Sequence, residues 1–473
     1  MEGLTVGDVA AAARLVFGDP HQPLAGVTTD SREADLRGKL YVALRGARVD
    51  GHDFVPEAVA KGAACLLIED RALALARKLH AEGKLGAAAV APDSLKALGD
   101  LARGYRSKLG VKIVAITGSA GKTSVKDFVH AILTTTYRTV SAVRSFNNAI
   151  GVPMTILRMT PDTQAGVLEI GMNHPGEIDA LCRMADPDLV AITTVGAAHL
   201  GFFKSLRHVA LAKSEILTAG ADGIPAFLPA DSPFLPLLKR RAARKKVITF
   251  GYAASADWRV KPVRSSLKRM EFAVSQHLYR CPNFGEHHLA NVALAIGIAA
   301  QFAVPAKKIE AAIRSLKLPP GRGEIVRAGP HWIINDSYNA NPGSMSAALK
   351  RVGTLGRILA ARNDRRDVVL VLGDMLELGS KSKYYHVLLG KEARRIRPSR
   401  VLFVGKEGPS FRKGFLISGG RGTALTLMES LEDVKTEIQS WMRTERKMLI
   451  LFKASNQVKL GTVVEAVCQG DRN

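Results

Sequence analysis

Residues 117–124 have the types and the spacing that bind a polyphosphate. They read Thr-Gly-Ser-Ala-Gly-Lys-Thr-Ser and follow an apolar run, Val111 to Ile116, that predicts a buried parallel strand leading into a helix. In this arrangement backbone N–H groups and the helix N-terminus face the anion, Lys122 reaches the terminal phosphates, and the Thr123 hydroxyl ligates Mg²⁺. The strict phosphate-loop pattern requires glycine where this chain has Ile116. We therefore predict nucleotide binding, with a plain strand-to-helix turn as the alternative.

Three more side chains with metal-binding or acid–base chemistry follow downstream. Glu169 ends the apolar part of a predicted strand at 165–171, where a carboxylate is well placed to hold Mg²⁺ directly or through water. His199 follows another predicted strand, 189–195, and a single histidine there is more often structural than ligating. Lys213 lies in a predicted helix, where a lysine is usually solvated. Local patterns alone therefore support only Glu169 as a metal ligand.

Two polar clusters near the N-terminus, Thr28 to Arg32 and Arg48 to Asp53, supply many hydrogen-bond donors. Such clusters suit phosphate groups and the edge of a base. However, Asp50-Gly51 is an ordinary turn signal, and polar loops with helix caps are the simpler local interpretation. On local evidence alone that simpler interpretation is favoured.

The elements that position these residues predict an α/β protein of three domains. We expect a small N-terminal α/β domain at 1–107, a central phosphate-loop ATPase domain with a doubly wound parallel sheet at 108–317, and a C-terminal Rossmann-like α/β domain at 318–473. A Pro-Pro-Gly break at 319–321 marks the second boundary. The strand-rich segment 221–279 is expected to form an antiparallel appendage to the central sheet.

In the third domain, two predicted strands run into polar clusters. These clusters are Asp336 to Pro342 and Gly373 to Gly379. Because the sites of parallel sheets lie at the carboxyl ends of their strands, such turns are placed to line a cleft shared with the central domain.

Composition limits the class of protein. The 473 residues are 47% hydrophobic and 23% charged, which fits a soluble globular enzyme. No signal peptide and no transmembrane segment are expected. The cysteines are far apart and lack C-x-x-C spacing, which indicates reduced thiols in a cytoplasmic protein and no zinc site. They are Cys65, Cys182, Cys281 and Cys468.

The net charge of +24 is unusual and raises the question of a nucleic-acid partner. However, the basic residues are spread over the whole chain, and only 6% of residues are aromatic, so platforms for base stacking are scarce. No nucleic-acid partner is expected. A general basic bias or an anionic substrate is the simpler explanation of the charge.

Several motifs, taken in order, resemble the Mur ligases over essentially the whole chain. That family's form of the phosphate loop is matched by TGSAGKTSVKD, which accounts for the missing glycine. Similarity to the family member that adds D-alanyl-D-alanine extends over NNAIGVPMT, EIGMNHPGEI, VGAAHLGFF, AKSEI, PPGRGE and NDSYNANPGSM. Its N-terminal uridine-nucleotide domain is resembled by TTDSRE and RVDGHDF. One such motif would be weak support, whereas this many in order are strong support.

The resemblance implies an ATP-dependent ligase of cytoplasmic peptidoglycan precursor synthesis, expected to act as a monomer. In the family reaction, ATP phosphorylates the free carboxylate of UDP-N-acetylmuramoyl-tripeptide. The amine of D-Ala-D-Ala then attacks the acyl phosphate, and a tetrahedral intermediate collapses to amide and phosphate. Because two anions are brought together, the site needs positive charge from Mg²⁺, with two ions expected, and from basic side chains.

The resemblance also implies catalytic and metal-binding roles. Thr123 and Glu169 are expected to hold the first Mg²⁺, and His199 the second. Lys213 is expected to be carbamylated. A carbamate is an anion and can bind a metal ion, whereas a protonated ammonium group cannot. The expected catalytic residues are Lys122, Glu169, His199, Lys213 and Arg322. The expected metal ligands are Thr123, Glu169, His199 and Lys213.

Contacts to ATP and to the acceptor substrate are implied in the same way. The expected nucleotide contacts are Gly118, Ser119, Ala120, Gly121, Lys122, Thr123, Ser124, Asn291 (adenine), Arg322 (γ-phosphate), Asp336 (ribose), Asn339 and Asn341. The expected acceptor contacts are Thr29, Asp30, Ser31, Arg32, Asp50, His52, Asn147 and Asn148. Because Arg322 and Asp336 belong to the third domain, domain closure about the Pro-Pro hinge is expected to complete the site.

Two positions depart from the family pattern. Ser145 stands where the family often has asparagine, and Asn456 where it tends to have arginine.

The alternative functions are a related Mur ligase that adds a single amino acid and a nucleic-acid-stimulated phosphate-loop ATPase. The run 338–342 (Tyr-Asn-Ala-Asn-Pro) and the lack of an Asp-Asn-Pro motif that reads diaminopimelate favour the dipeptide adder. The third residue of the peptide substrate stays open.

Overall fold

The computed structural model describes residues 3–198, 200–419, 423–443 and 446–469. Within these ranges the strands form three sheets of five, nine and six strands, which follow one another along the chain. Helices pack against the sheets, so the protein is a three-domain α/β chain as predicted. The residue boundaries between the domains stay predictions. None of the helices in the described ranges has the length and apolar character that a membrane crossing requires.

The first sheet has one antiparallel edge strand. Its strands and surrounding helices are α1 (Val6–Ala12), β1 (Arg14–Phe17), β2 (Gly26–Thr28), β3 (Lys39–Val42), α2 (Val55–Ala60), β4 (Cys65–Ile68), α3 (Leu73–Ala81), β5 (Ala87–Val90) and α4 (Ser94–Lys108). The strand order is β1-β5-β4-β3-β2, and only β1 pairs antiparallel. Every residue of β4 and β5 is buried, as expected for parallel strands covered on both faces.

The central sheet carries the phosphate loop. Its elements are β6 (Lys112–Thr117), α5 (Lys122–Leu133), β7 (Thr139–Ser141), α6 (Gly151–Ile156), β8 (Ala165–Glu169), α7 (Glu177–Ala185), β9 (Leu189–Ile192), α8 (Leu206–Lys213), β10 (Pro225–Pro229), α9 (Leu235–Arg241), β11 (Lys246–Gly251), β12 (Trp258–Ser265), β13 (Arg269–Val274), β14 (His277–Pro282), α10 (Leu289–Gln301) and α11 (Ala306–Arg314). The strand order is β14-β13-β12-β11-β10-β9-β6-β8-β7.

Strand β6 lies between β8 and β9 and is parallel to both. Its side chains alternate between two apolar layers, with Ile113 and Ala115 on one face and Val114 and Ile116 on the other. Because all three strands run in the same direction, the loops after them meet at one edge of the sheet.

The expectation that 221–279 forms an antiparallel appendage is wrong for its first half. β10 and β11 pair parallel and extend the main sheet beyond β9. Only β12, β13 and β14 form an antiparallel meander at the edge. Residues 257–273 have polar residues at alternate positions, a pattern typical of a half-exposed antiparallel sheet, but this pattern carries no information on strand direction in the buried part.

The third sheet is parallel except for its first strand. Its elements are β15 (Glu324–Ala328), β16 (His331–Asn335), α12 (Pro342–Ala360), β17 (Asp367–Gly373), α13 (Ser382–Arg395), β18 (Arg400–Val404), α14 (Gly408–Ile417), β19 (Ala424–Met428), α15 (Leu431–Met442), β20 (Met448–Lys453) and α16 (Gly461–Gln469). The order is β15-β16-β20-β17-β18-β19, and β15 alone pairs antiparallel.

The second and third domains are in direct contact. Gly201 donates its N–H to Glu377 O at 2.7 Å. The buried Arg351 of α12 donates through Nη2 to Asn283 O at 2.8 Å. These two hydrogen bonds link the central domain to the third domain.

Candidate active site

The phosphate loop needs glycine at two positions. Gly121 has a φ of +84°, and a Cβ there would lie 2.9 Å from Asn291 Oδ1 of α10. Gly118 has a φ of +149°, and a Cβ there would lie 1.9 Å from Thr193 Oγ1. Both glycines therefore allow neighbouring segments to approach the loop backbone closely.

Part of the loop backbone is directed differently from the expectation. Ser119 N–H donates to Thr194 O at 2.8 Å, and Ala120 N–H donates to Thr194 Oγ1 at 3.0 Å. These two amides are therefore already paired with the segment after β9. No side chain in the described ranges caps α5, so the amides of its first turn are the ones available to an anion.

Lys122, the first residue of α5, bends back over the loop. Its Nζ donates to Gly118 O at 2.9 Å. Burial lowers the pKa of this amine, and the negative charge of Glu169 opposes that effect. An anion in the loop would replace the carbonyl as its partner and favour the charged form.

Thr123 and Glu169 form the centre of the site. Thr123 Oγ1 donates to Glu169 Oε2 at 2.7 Å, and Asn147 Nδ2 donates to Glu169 Oε1 at 2.7 Å. Glu169 ends β8 and is 1% exposed. Both carboxylate oxygens are thus held in place by the phosphate loop and by the segment after β7. Hydroxyl and carboxylate oxygens are ligands that Mg²⁺ prefers, so this pair fits such an ion.

Lys213, at the end of α8, is 1% exposed. Burial lowers the pKa of its amine well below the usual value, and the positive charge of Lys122 lowers it further. Among the residues that the structure describes, none accepts a hydrogen bond from this amine. The predicted ligand His199 lies outside the described residues. Within those residues, no three His, Cys, Asp or Glu side chains lie close enough together to hold a metal ion.

The third domain brings a cation to the phosphate loop. Arg322 Nη2 donates to Ser145 Oγ at 3.1 Å, and the Arg322 guanidinium carbon lies 4.0 Å from the centre of the Tyr338 ring. Asn341 Nδ2 lies 3.4 Å from Ser119 O of the loop. Residues of these two domains form most of the lining of an open cavity of about 900 Å³.

The other expected nucleotide contacts in the third domain already have partners. Asp336 Oδ2 lies 2.7 Å from Nζ of Lys453, which is 2% exposed and also donates to Asn339 O at 2.9 Å. Asn341 is the N-cap of α12 and accepts from Ser344 N–H at 2.9 Å. These contacts fix Asp336, Asn339 and Asn341 at the wall of the cavity.

Asn291 reaches the cavity from the first turn of α10. Its Nδ2 lies 3.3 Å from His288 Nδ1, and the side chain contacts the loop at Gly121. Burial lowers the pKa of His288 well below its usual value, and the nearby charge of Arg351 contributes, so this histidine is neutral. The neutral ring can accept from the Asn291 amide.

Three family models match successive parts of the chain. The model described as Mur ligase family, catalytic domain matches residues 23–106, the Mur ligase middle domain matches 116–299, and the Mur ligase glutamate ligase domain matches 321–456. A curated relative from Bacillus subtilis (strain 168), named UDP-N-acetylmuramoyl-tripeptide--D-alanyl-D-alanine ligase, is 32% identical over 468 residues, which is 98% of this chain and 97% of the relative. The chain belongs to the Mur ligase family.

Two further comparisons agree with this assignment. A relative of the same name from Escherichia coli (strain K12) is 34% identical over 450 residues, 94% of each chain. A solved structure described as MurF from Acinetobacter baumannii is 26% identical, has a TM-score of 0.84 and covers 99% of both chains. The Mur ligase resemblance and the three-domain fold predicted from the motifs are thus confirmed.

In this Mur ligase, the expected uridine-nucleotide residues lie in the first domain and are not part of the cavity wall. Arg32 donates through Nε and Nη2 to both oxygens of Asp30, at 2.8 Å each. Ser31 Oγ donates to Glu57 Oε2 at 3.2 Å. Hydrogen bonds from Arg32 hold the pKa of Asp30 at about 2. Thr29, on the same turn, is half-buried.

Asp50 and His52 are bonded to each other in this Mur ligase. His52 Nδ1 lies 2.7 Å from Asp50 Oδ1, and His52 Nε2 accepts from Glu69 N–H at 3.0 Å. Because Nε2 accepts, the ring proton is on Nδ1 and is donated to Asp50. His52 is 6% exposed. The pair therefore fixes the turn before α2. These contacts are the ones expected of a polar loop with helix caps.

Asn147 and Asn148 both line the cavity but differ in their partners. Asn147 donates to Glu169, whereas Asn148 Oδ1 accepts from Gly151 N–H, the first amide of α6, at 2.9 Å. The sequence did not predict the contacts of three side chains that line the cavity. They are Ser145, Thr194 and Tyr338. Ser145 was visible in the sequence only as a departure from the family pattern.

Proposed function

We propose that this Mur ligase joins D-alanyl-D-alanine to UDP-N-acetylmuramoyl-tripeptide in an ATP-dependent reaction that releases ADP and phosphate. The observation that carries the proposal is the convergence of the phosphate loop with Arg322 and Asp336 in one cavity of about 900 Å³. The relatives from Bacillus subtilis and Escherichia coli, matched over nearly their whole length, carry the name of this reaction. Their names support the dipeptide as the group that is added.

The chain's own residues account for bringing two anions together. The first-turn amides of α5 and Lys122 bind the phosphates of ATP, and Arg322 adds a second positive charge from the third domain. Asn291, Asp336, Asn339 and Asn341 hold the nucleoside. These positive groups stabilise the charge that develops as the acceptor carboxylate attacks the γ-phosphorus. The amine of the dipeptide then forms the C–N bond, and the C–O bond to phosphate breaks.

Mg²⁺, when bound, supplies positive charge at the phosphate oxygens. Thr123 and Glu169 would hold one ion, and His199 with a carbamylated Lys213 a second. A neutral amine adds CO₂ to give a carbamate, and the burial that lowers the pKa of Lys213 increases its neutral fraction. The absence of a hydrogen-bonding partner among the described residues leaves this amine free to react.

The acceptor binds across the first and second domains in this proposal. Thr29, Asp30, Ser31 and Arg32 contact the uridine nucleotide, with Asp50 and His52 supporting the adjacent turn. Asn147 and Asn148 face the sugar. The proposal keeps a monomer in the cytoplasm: both halves of the ATP site come from one chain, which supports the monomer, and nucleotide substrates support the location.

The test is an ADP-release assay with ATP, Mg²⁺ and UDP-N-acetylmuramoyl-tripeptide, in which D-Ala-D-Ala is compared with single amino acids. We expect ADP release that requires both the tripeptide and the dipeptide. Turnover with a single amino acid and none with the dipeptide would instead identify a single-residue Mur ligase. ADP release stimulated by oligonucleotides without the tripeptide would reject ligase function altogether.

A further inference from the structure

Ser145 lies at the contact between the second and third domains. Its Oγ accepts from Arg322 Nη2 at 3.1 Å and from Tyr338 Oη at 2.9 Å, and it lies 3.1 Å from Thr123 Oγ1. Arg322 is stacked on the Tyr338 ring at 4.0 Å, so these two donors form one unit of the third domain. One hydroxyl thus connects that unit with the phosphate loop.

The direction of the hydrogen bonds around Ser145 follows from the number of its protons. A serine hydroxyl has one proton and accepts two hydrogen bonds, and Arg322 and Tyr338 occupy both acceptor positions. The Ser145 proton is therefore donated to Thr123, whose own proton is donated to Glu169 Oε2 at 2.7 Å. An ordered chain of hydrogen bonds runs from the third domain through Ser145 and Thr123 to the Glu169 carboxylate.

Lys126 stabilises the turn that carries Ser145. This lysine of α5 is 2% exposed and donates to Ala142 O at 2.6 Å and to Arg144 O at 3.0 Å. Arg144 has a φ of +51°, a conformation that L residues rarely adopt and that surrounding contacts have to enforce. The buried Lys126 therefore fixes the direction in which Ser145 points.

We propose that Ser145 is a positioning residue that couples the phosphate loop to the third domain. It holds the Arg322–Tyr338 unit against Thr123, so that the arginine is already near the loop before ATP binds. The inference deepens the proposed function and rests on it, because Arg322 is there assigned to the γ-phosphate. The serine acts where the family often has asparagine.

Steady-state kinetics test this role with Ser145→Ala, Ser145→Thr and the control Ser141→Ala. Ser141 is a suitable control because it lies in β7 just before the same turn, and its hydroxyl bonds to no described residue. We expect Ser145→Ala to lower kcat/KM for ATP by about tenfold, the size that follows from losing hydrogen bonds with a charged partner. The KM values for the tripeptide and the dipeptide should stay near wild type. Ser145→Thr, which keeps the hydroxyl, should stay within about threefold.

Small-angle X-ray scattering of the ATP-free protein provides a readout that does not depend on turnover. The radius of gyration should rise in Ser145→Ala, because the third domain loses the two hydrogen bonds that Arg322 and Tyr338 make with Ser145, and should stay at the wild-type value in Ser145→Thr and Ser141→Ala. An unchanged radius in Ser145→Ala would overturn the coupling, whatever happens to activity. Equal impairment of Ser145→Thr and Ser145→Ala would also overturn it. If the wild type releases no ADP with tripeptide and dipeptide, the proposed function fails, while the scattering comparison still decides the coupling.

Discussion

The Thr123 hydroxyl donates to Glu169 Oε2 across 2.7 Å and so joins the start of α5 to the end of β8. The two residues are 46 positions apart in the chain. They meet because β6 and β8 are adjacent parallel strands whose carboxyl ends lie at the same sheet edge. This pair is the part of the site to which the proposed function assigns Mg²⁺.

Replacing Thr123 should weaken the binding of Mg²⁺ more than the binding of the acceptor substrate. In Thr123→Val the hydroxyl ligand is lost at nearly constant volume, and we expect Mg²⁺ to bind about 10- to 100-fold more weakly. Thr123→Ser keeps the hydroxyl and should stay close to wild type. The measurement is ADP release as a function of Mg²⁺ concentration at saturating ATP. An unchanged Mg²⁺ requirement in Thr123→Val would remove this residue from the set of ligands.

The carbamate assigned to Lys213 predicts chemical rescue. Lys213→Ala should lose activity because no anion replaces the carbamate, and added short-chain carboxylates should restore part of it. Lys122→Ala is the matched control, since its missing group is a cation that carboxylates cannot replace. ADP release with and without acetate measures both effects. Full activity of Lys213→Ala without any additive would exclude the carbamate from the reaction.

Arg32 and Arg37 offer a matched pair for the uridine-nucleotide site. Each guanidinium donates to both oxygens of the aspartate two residues earlier, and these hydrogen bonds hold the pKa values of Asp30 and Asp35 at about 2. We expect Arg32→Ala to raise the KM for the UDP-tripeptide about tenfold, the size of losing one charged phosphate contact. Arg37→Ala should leave it unchanged. Equal effects of both changes on this KM would mean that Arg32 has no specific role.

Tyr41 predicts a pH dependence of stability. It is 1% exposed and donates to Gly51 O at 2.8 Å, and burial raises its pKa from 10.0 to about 12. Because the folded state keeps the proton longer, this stability is complete below pH 10 and is lost between pH 10 and 12, by about 3 kcal/mol. Tyr41→Phe should therefore be less stable near pH 8 by about 1 kcal/mol and lose less stability as the pH rises.

Denaturant unfolding from pH 8 to 11.5 checks the Tyr41 prediction. The control is Tyr384→Phe, the same substitution at a tyrosine that is 59% exposed. Parallel curves for wild type and Tyr41→Phe would contradict the prediction.

Asn341 combines a structural and a proposed binding role that two variants can separate. As the N-cap of α12 it accepts from Ser344 N–H at 2.9 Å. Asn341→Ala should lower the free energy of unfolding by about 1 kcal/mol, whereas Asn341→Ser keeps a capping oxygen and should unfold like wild type. Both should raise the KM for ATP. A wild-type KM in Asn341→Ser would show that this residue is only a cap.

Much of the fold could be predicted because its signals are local. The apolar run before Thr117 and the helical pattern after Lys122 predict β6 and α5, and both form. The acid at the end of an apolar run similarly places Glu169 at the end of β8. The direction of β10 and β11 was not predictable, since it depends on which strand lies beside them and not on their own side chains.

The sequence motifs include many residues that line the cavity, Lys122, Arg322 and Asp336 among them, but they do not give the contacts of these residues. Arg322 and Ser145 are 177 positions apart, and Asn341 and Ser119 are 222 apart. No periodicity or spacing relates residues so distant, because their separation is set by the packing of two domains. The pairing of Asp336 with Lys453, and of two loop amides with Thr194, is hidden for the same reason.

The sequence alone determined that a strand, a glycine-containing loop and a helix follow one another, in the pattern that predicts a phosphate site, within a three-domain α/β chain. That is possible because hydrophobic periodicity and glycine positions act over a few residues. Tertiary structure alone decided that Ser145 lies between Thr123 and the Arg322–Tyr338 unit, and that the loop shares its cavity with the third domain. Those contacts arise only when the two domains pack, since each hydrogen bond needs donor and acceptor within about 3 Å.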